Sequence, residues 1–196
     1  MTSLDWSRRS VLATGLLSGL LPVVGRAEQA STVGNAQELA LALATAKPGD
    51  EIVLADGDYP GSFALTRSGT AERPIVIRAA NLLGARFTAG QLQIDASWIV
   101  LHGTDHVGGG AIRIGENATA ANVEIWRCRF RDLTTFAAAA IRTFAAERPR
   151  IAYCEMVNWQ GTGILLGASR GTRDPEVTHC LFRDTPAGWS EVGAEA

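Results

Sequence analysis

Three segments of the chain decide the fold: IWRCRFRD at residues 125–132, IAYCEMVN at 151–158 and VTHCLFRD at 177–184. Each begins with an aliphatic residue, has a cysteine three positions later and a large apolar residue two positions after the cysteine, and ends in Asp or Asn. Both intervals between the cysteines are 26 residues. A fixed period in the twenties, with short apolar segments and no helical pattern between them, is typical of a β-solenoid in which each repeat forms one coil.

Weaker copies of this pattern lie upstream. Residues 74–78 (PIVIR) and 98–102 (WIVLH) are short β-branched segments 24 residues apart. Further apolar segments lie between the main copies, at residues 111–115, 139–142 and 163–167. Each coil therefore has two or three short strands separated by turn residues. Because coils stack about 4.8 Å apart, equivalent residues form ladders along the axis. The sequence thus predicts an all-β, right-handed parallel β-helix.

The cysteines Cys128, Cys154 and Cys180 are predicted to form one inward ladder of small apolar side chains. Parallel Cβ vectors suit a disulfide poorly, and an odd number leaves one thiol unpaired. A column of thiols also lacks the tetrahedral convergence that a structural metal site needs. The Asp or Asn that ends each copy is predicted to lie in a turn, where its side chain bonds local backbone.

An open solenoid end exposes core and strand edge, and therefore needs a cap. Residues 35–46 are predicted to form this cap as a helix. Asn35 can cap the start of the helix, and Glu38 lies three residues later, as in a capping box. The segment PGD at 48–50 ends the helix, and residues 51–54 begin the first strand.

Residues 1–30 predict an export signal that is separate from the folded domain at 31–196. Arg8 and Arg9 precede an apolar segment at 11–24, as in a twin-arginine signal peptide. This segment is too short to span a membrane. We therefore expect a periplasmic or secreted protein with no membrane association after signal cleavage.

The charge balance excludes a strongly basic nucleic-acid-binding protein. The chain has 18 basic and 20 acidic residues, a net charge of −2. Lys47 is its only lysine. The many arginines fit either a GC-rich genome or guanidinium groups that bind the carboxylates of an acidic ligand.

Three motifs lie in the N-terminal part of the domain: NA-x-EL at 35–39, A-x-PGD-x-IVLADG-x-Y at 46–59 and GTA-x-x-PI-x-IRAA at 69–80. Together they resemble the start of the chondroitinase B and alginate lyase family of polysaccharide lyases. The likeness covers roughly residues 33–186 and is strongest before residue 80. The resemblance implies a capped β-helix and an acidic polysaccharide of the alginate or chondroitin/dermatan type as partner.

The resemblance also implies calcium-assisted β-elimination. A hard cation would neutralise the uronate carboxylate, a lysine would remove the C5 proton and an arginine would assist the leaving oxygen. In the family, the calcium ligands and the base belong to a Glu-x-Glu-Ile-Ile-x-x-Lys-Ser segment on a later coil.

The last two residues of the chain, Glu195 and Ala196, match the start of that segment. Glu195 is therefore a candidate calcium ligand, and a solvated acidic tail is the alternative. Because the rest of the segment would follow Ala196, we expect the catalytic lysine and arginine beyond Ala196 and the present chain to be incomplete.

The alternative function is a non-catalytic, monomeric β-helix that binds acidic polysaccharide or serves as a structural module. Its candidate groove residues are Arg127, Arg129 and Trp159. Further arginine and aromatic side chains in this set are Trp126, Arg131 and Tyr153. Other β-helix enzymes fit less well, because polygalacturonases need paired aspartates and pectate lyases usually have long asparagine ladders.

No other catalytic base stands out in the sequence. Lys47 lies at the cap. His102 and His106 are predicted to be surface or turn residues rather than a catalytic pair, and His179, next to Cys180, is predicted to point outward.

Overall fold

A computed structural model of the protein describes residues 30–109, 111–132, 139–159, 161–167, 170–184 and 192–194. The predicted export signal, apart from Ala30, lies outside these residues, and so do Glu195 and Ala196. No helix among the described residues is long and apolar enough to cross a membrane.

The described residues form one helix and a series of short strands. The helix is α1 (Ala36–Thr45), and the strands are β1 (Ala30–Val33), β2 (Glu51–Leu54), β3 (Gly57–Asp58), β4 (Phe63–Leu65), β5 (Ile75–Ala79), β6 (Ala85–Phe87), β7 (Gln91–Ile94), β8 (Ile99–His102), β9 (Asp105–Val107), β10 (Ala111–Ile114), β11 (Ala120–Ala121), β12 (Val123–Trp126), β13 (Arg129–Arg131), β14 (Ile141–Thr143), β15 (Ala146–Glu147), β16 (Arg150–Ala152), β17 (Glu155–Val157), β18 (Ile164–Leu166), β19 (Thr172–Arg173), β20 (Glu176–Thr178), β21 (Leu181–Arg183) and β22 (Val192–Ala194).

These strands form parallel sheets that run along a β-solenoid of about six turns. Sheet A contains β1, β2, β5, β8, β12, β16 and β20, and sheet B contains β3, β6, β9, β13, β17 and β21. Sheet C contains β4, β7, β10, β14, β18 and β22, while β11, β15 and β19 form the small sheet D. Each coil passes through A, B and C in turn, and the later coils add D before returning to A. The predicted parallel β-helix is confirmed.

In-register pairing between coils explains the 26-residue period. Ile125 pairs with Ile151, which pairs with Val177 in the next coil of sheet A. Phe130 and Met156 pair in the same way in sheet B. The inward members of these columns are buried, so the coils share one continuous core. At about 25 cal/mol for each Å² of apolar surface removed from water, this core supplies the main stabilisation of the stack.

The cysteines occupy the inward position that the sequence predicts. All three are free thiols; Cys128 and Cys154 are buried, and Cys180 is half-buried in the last described coil. The adjacent thiols of Cys128 and Cys180, together with burial, raise the pKa of Cys154, which therefore remains protonated.

The N-terminal cap is a helix, as predicted. The Asn35 side-chain oxygen accepts hydrogen bonds from the backbone N–H groups of Gln37 (3.1 Å) and Glu38 (3.0 Å). The Glu38 carboxylate in turn accepts from the Gly34 N–H at 2.7 Å, so donors at the start of α1 are satisfied. Strand β1 was not expected from the sequence; it pairs with β2 and places a strand of sheet A before the helix.

A tyrosine ties this first strand to the first coil. Tyr59 is fully buried, and its hydroxyl lies 2.8 Å from the Val33 carbonyl oxygen and 2.9 Å from that of Ala55. Burial raises the pKa of this hydroxyl, which remains a donor shared between the two carbonyl groups.

The Asp or Asn after β13, β17 and β21 lies in a turn, as predicted. The side-chain bonds differ from the prediction of bonds to local backbone, because the Asn158 amide donates to the Asp132 carboxylate at 2.8 Å and Arg183 donates to Asp184. Asp132, Asn158 and Asp184 have φ values of 57°, 48° and 60°. This left-handed conformation is more tolerable for Asp and Asn than for other non-glycine residues.

The prediction that His106 is a surface or turn residue is wrong. His106 is fully buried in the inward column of sheet B. Its ring stacks between Phe87 (centroids 4.8 Å apart) and Phe130 (4.6 Å), and its Nε2 lies 2.9 Å from the Thr104 hydroxyl. A flat imidazole fits this aromatic column because the threonine satisfies a ring nitrogen. His179 is exposed, as predicted.

Candidate functional site

The outer face of sheet C carries two arginines side by side. Arg113 on β10 pairs in register with Arg142 on β14, one coil further along the axis. Their neighbours Ile112 and Ile141 are buried, and since side chains alternate along a strand, both arginines point outward. We call Arg113 and Arg142 the guanidinium pair.

A buried aromatic ring holds the guanidinium pair. The Cζ atom of Arg113 lies 5.4 Å from the Phe144 ring centroid, and that of Arg142 lies 5.0 Å from it. Arg113 also donates to the Gln91 side-chain oxygen at 3.1 Å and lies 3.3 Å from a Glu116 carboxylate oxygen. Glu116 therefore offsets part of the charge of one arginine, while both guanidinium groups share one aromatic surface.

Small residues leave a shallow pocket beside the guanidinium pair. Its lining residues are Gly90, Gln91, Gly109, Ala111, Arg113, Ala139 and Arg142. At Gly90, where φ is 71°, an added Cβ would lie 2.4 Å from the Gly61 carbonyl oxygen, so this wall of the pocket requires glycine.

Sheet B presents a different outer face, on which acids and bases alternate from coil to coil. Arg86 pairs with Asp58 at 2.6 Å, and Arg183 pairs with Glu155 at 2.9 Å. Between them, Arg129 forms a two-pronged ion pair with Asp105, at 3.0 and 2.8 Å. The charges on this face are thus largely paired within the protein.

Asp105 is the centre of this arrangement, with only 1% of its side chain exposed. Arg131 donates two further hydrogen bonds to it, at 3.2 and 3.1 Å. Burial alone would raise the pKa of Asp105, but the hydrogen bonds and charges of Arg129 and Arg131 together outweigh burial and lower that pKa. The hydrogen bond to Asp105 likewise raises the pKa of Arg129. Arg129, a predicted groove residue, is therefore committed to an internal pair.

The other predicted groove residues divide between surface and core. Arg127 is exposed at the corner between sheets A and B, next to Trp126. Trp159 is 0% exposed and packs edge-on against Phe182, with centroids 5.9 Å apart. The prediction that Trp159 lines a groove is therefore wrong, because the turn at Asn158 directs the following ring into the core.

His102, the remaining histidine of the predicted surface set, is half-buried at the end of β8. Burial lowers its pKa, and the nearby charges of Arg127 and Arg78 act in the same direction. It is therefore neutral at physiological pH.

The sequence profile of the Chondroitinase B family matches residues 33–146, which is more than half of the chain. The chain belongs to the chondroitinase B family. The family resemblance predicted from the motifs is thus confirmed, and the family is one of polysaccharide lyases.

Solved structures of polysaccharide lyases share the fold of this family member. An alginate lyase from Paenibacillus sp. str. FPU-7 is 21% identical, with a TM-score of 0.54 over 79% of this chain and 66% of that one. A mannuronic acid specific family 6 lyase from the human gut microbiota is 20% identical, with a TM-score of 0.64 over 83% and 44%. A family PL6 lyase from Pseudopedobacter saltans is 18% identical, with a TM-score of 0.66 over 83% and 41%.

This family member thus spans 66%, 44% and 41% of the lengths of these three proteins. At such identities the likeness establishes the fold alone. No curated protein matches the chain.

The described residues contain no cluster of metal-ligating side chains. Within residues 30–109, 111–132, 139–159, 161–167, 170–184 and 192–194, no three His, Cys, Asp or Glu side chains form a group that could hold a metal. Lys47 is exposed just after the cap helix, where its backbone N–H donates to Asp50.

The predicted calcium ligand and catalytic residues are not tested by this geometry. Glu195, the candidate ligand, lies outside the described residues, as does Ala196. The catalytic lysine and arginine were expected beyond Ala196, which is the last residue of the sequence. Their placement therefore stays a prediction.

The guanidinium pair was not predicted from the sequence, although both arginines lie in segments predicted to be strands. Arg113 lies between the buried residues Ile112 and Ile114, and Arg142 lies between the buried residues Ile141 and Thr143, so the alternation of the strand was the available signal. Their separation is 142 − 113 = 29 residues, so the 26-residue period of the cysteine segments does not bring them together.

Proposed function

We propose that the guanidinium pair is the anion-binding part of a polysaccharide lyase that acts on a uronic-acid polysaccharide of the alginate or chondroitin/dermatan type. The observation that supports this most strongly is the in-register placement of Arg113 and Arg142 on adjacent coils. Like charges directly opposite each other on neighbouring strands are unfavourable. A bound anion between them relieves this repulsion and accepts hydrogen bonds from both guanidinium groups.

The shape of the face fits an extended polyanion. Sheet C runs along the solenoid axis, and its coils repeat about every 4.8 Å, roughly the length of one sugar unit in a polysaccharide. A chain that follows the axis therefore meets one coil for about each sugar. Gln93 pairs in register with Arg113 and extends the polar column by one coil; its amide nitrogen donates to Asp95 at 2.6 Å, and its amide oxygen can accept from a sugar hydroxyl.

The proposed role of these residues is to bind and orient the uronate. Arginine remains protonated in proteins, so Arg113 and Arg142 do not remove the C5 proton. Calcium belongs to the proposal through the family resemblance, with Glu195 as a candidate ligand. The ion would neutralise the uronate carboxylate.

The first experiment measures binding of alginate and of dermatan sulfate to Arg113→Gln, Arg142→Gln and the double variant. Loss of one charge-assisted hydrogen bond is worth about 1.5 kcal/mol or more, so each single substitution should weaken binding about tenfold. The matched control is Arg86→Gln on sheet B, whose arginine is already paired with Asp58. If this control weakens binding as much as the sheet C variants do, the proposed site is wrong.

A second assay separates a lyase from a binding module. Elimination produces an unsaturated sugar that absorbs ultraviolet light, and we expect absorbance to rise with calcium and not with a chelator. Binding of polysaccharide without any rise, in either condition, would favour the non-catalytic β-helix.

We also propose that the protein is exported to the periplasm or beyond and acts there as a monomer. Arg8 and Arg9 before the apolar segment at residues 11–24 support export. Cell fractionation and gel filtration of the mature protein test the two statements, and a cytoplasmic pool alone or a stable dimer would contradict them.

A further inference from the structure

A second surface lies at the corner between sheets A and B, away from sheet C. One residue in each of four successive coils adopts the left-handed conformation at this corner, with φ values of 72° for Gly103, 53° for Arg127, 54° for Tyr153 and 53° for His179. We call Trp126, Arg127, Tyr153 and His179 the corner strip.

The residue types of the corner strip are unusual for this backbone. The left-handed region strains most side chains, whereas glycine adopts it freely and Asp or Asn tolerate it. Leu83 (φ 62°) lies in the A–B connection between β5 and β6, Gly103 supplies glycine in the next coil, and the turn after sheet B uses Asp132, Asn158 and Asp184. Later coils of the A–B corner instead carry Arg, Tyr and His, and strain of this kind often marks a functional surface.

Ring stacking between coils accounts for part of the corner strip. The ring centroids of Trp126 and Tyr153 are 5.2 Å apart, and those of Tyr153 and His179 are 4.7 Å apart with an angle of 7°. These contacts offset the backbone strain at Tyr153 and His179. The stack leaves Tyr153 48% exposed, so the ring edges form an apolar ridge at the surface.

Stacking does not account for Arg127. Its side chain is exposed and forms no ion pair or ring contact with the described residues. Arg150, which lies over the Trp126 ring at 5.5 Å, is itself paired with Glu176 at 3.3 Å. The corner strip therefore combines exposed aromatic edges with a positive charge that no acid among the described residues neutralises by direct contact.

We propose that the corner strip is a second binding surface for acidic polysaccharide, separate from the guanidinium pair. The Arg127 guanidinium binds a carboxylate or sulfate group of the glycan, and the ring edges of Tyr153 and His179 contact sugar C–H groups. The choice of ligand class rests on the proposed function, whereas the location of the surface rests on strain, exposure and charge.

The test is Arg127→Gly, which gives the corner the residue that its backbone prefers. We expect this variant to melt no lower than the wild type and to bind alginate about tenfold more weakly, since one charge-assisted contact is lost. The matched control is Arg148→Gly, which removes an arginine of the same backbone conformation (φ 50°) at a different corner. Unchanged alginate binding by Arg127→Gly, or equal weakening by the control, overturns the proposal.

A double-variant comparison separates this proposal from the function proposed for sheet C. In the Arg113→Gln/Arg142→Gln background, the residual alginate binding should fall further when Arg127→Gly is added. Loss in the sheet C variants alone would overturn the corner strip and leave the guanidinium pair, whereas loss with Arg127→Gly alone would do the reverse. Neutral dextran serves as the uncharged probe, and dextran binding equal to that of alginate would count against the role of Arg127.

Discussion

The outer faces of sheets B and C are both built from parallel strands with the same spacing between coils, but their patterns of charge differ. On sheet B, acids and bases alternate from Asp58 and Arg86 through Asp105 to Arg129. On sheet C, Arg113 lies directly beside Arg142. The first pattern joins neighbouring coils by ion pairs, whereas the second places like charges one coil apart.

The two faces use arginine in two ways. On sheet B it pairs with an acid on the next coil and adds stability, and on sheet C we propose that it binds an anion. An arginine whose carboxylate partner lies on the next coil, such as Arg129, has little left to offer a ligand. Two arginines side by side repel each other, and an added anion relieves that repulsion. The number of basic residues on a face is therefore a poorer guide to binding than the sign of the residue on the next coil.

The largest effect on stability is expected for Asp105→Asn on sheet B. The substitution leaves Arg129 and Arg131 around a neutral amide, and breaking a largely buried pair by removing one partner should lower the free energy of unfolding by about 3 kcal/mol. Urea denaturation of the two proteins measures the difference. A loss below about 1 kcal/mol, as for a surface pair, would contradict the view that sheet B is a structural face.

The same carboxylate predicts how stability depends on pH. Because the pKa of Asp105 is lower in the folded protein, its stabilisation is fully present above the ordinary carboxyl pKa of about 3.9. It is lost as the pH falls through the lowered folded pKa. We therefore expect the stability of the wild type and of Asp105→Asn to converge as the pH falls below about 4. Parallel curves from about pH 7 to about pH 2 would argue against this assignment.

An intermediate effect is expected when the sheet B pattern is imposed on sheet C by Arg142→Glu. The new acid lies beside Arg113, so repulsion becomes attraction while one contact with Phe144 is lost. The free energy of unfolding should therefore change by less than about 1 kcal/mol, in either direction. Alginate binding should fall further than in Arg142→Gln, because the acid also repels the ligand. Equal binding by the two variants would show that alginate binding does not depend on the charge at this position.

The smallest effect is expected for Asp58→Asn at the solvent-exposed end of the sheet B ladder. Both members of the Asp58 and Arg86 pair are about half exposed, at 52% and 48%. Such pairs contribute about 0.5 kcal/mol, and salt screens them. Thermal melting at low and high salt checks this, and a loss close to that of Asp105→Asn would show that burial does not set the order.

The fold could be predicted because periodicity is a property of the sequence. Stacked coils repeat the environment of Cys128 at Cys154 and Cys180, so spacing alone identifies the ladder. The cap helix could also be predicted from the sequence, since its start depends on the local pair Asn35 and Glu38.

The site was harder to predict from the sequence, for two physical reasons. Left-handed corner residues interrupt the two-residue alternation of the strands, so inside and outside cannot be counted across them, and both Trp159 and His106 were placed wrongly. The connection from β13 to β14 is also longer than its counterpart in the preceding coil. Because of this extra length, Arg142 does not follow the 26-residue period, and its pairing with Arg113 could not be predicted from that period.

The Tyr59 hydroxyl joins the N-terminal strand of the solenoid to its first coil. It contacts the carbonyl of Val33, before the cap helix, and that of Ala55, after the first full strand. When β1 separates from β2, the Val33 carbonyl oxygen loses both the Tyr59 hydroxyl and the Ala55 N–H, and such a loss is costly in a buried position. Hydrogen exchange should therefore show β1, α1 and β2 opening as one slow unit. Opening of the N-terminal end therefore requires the cap helix, the first strand and the Tyr59 contact to be lost together.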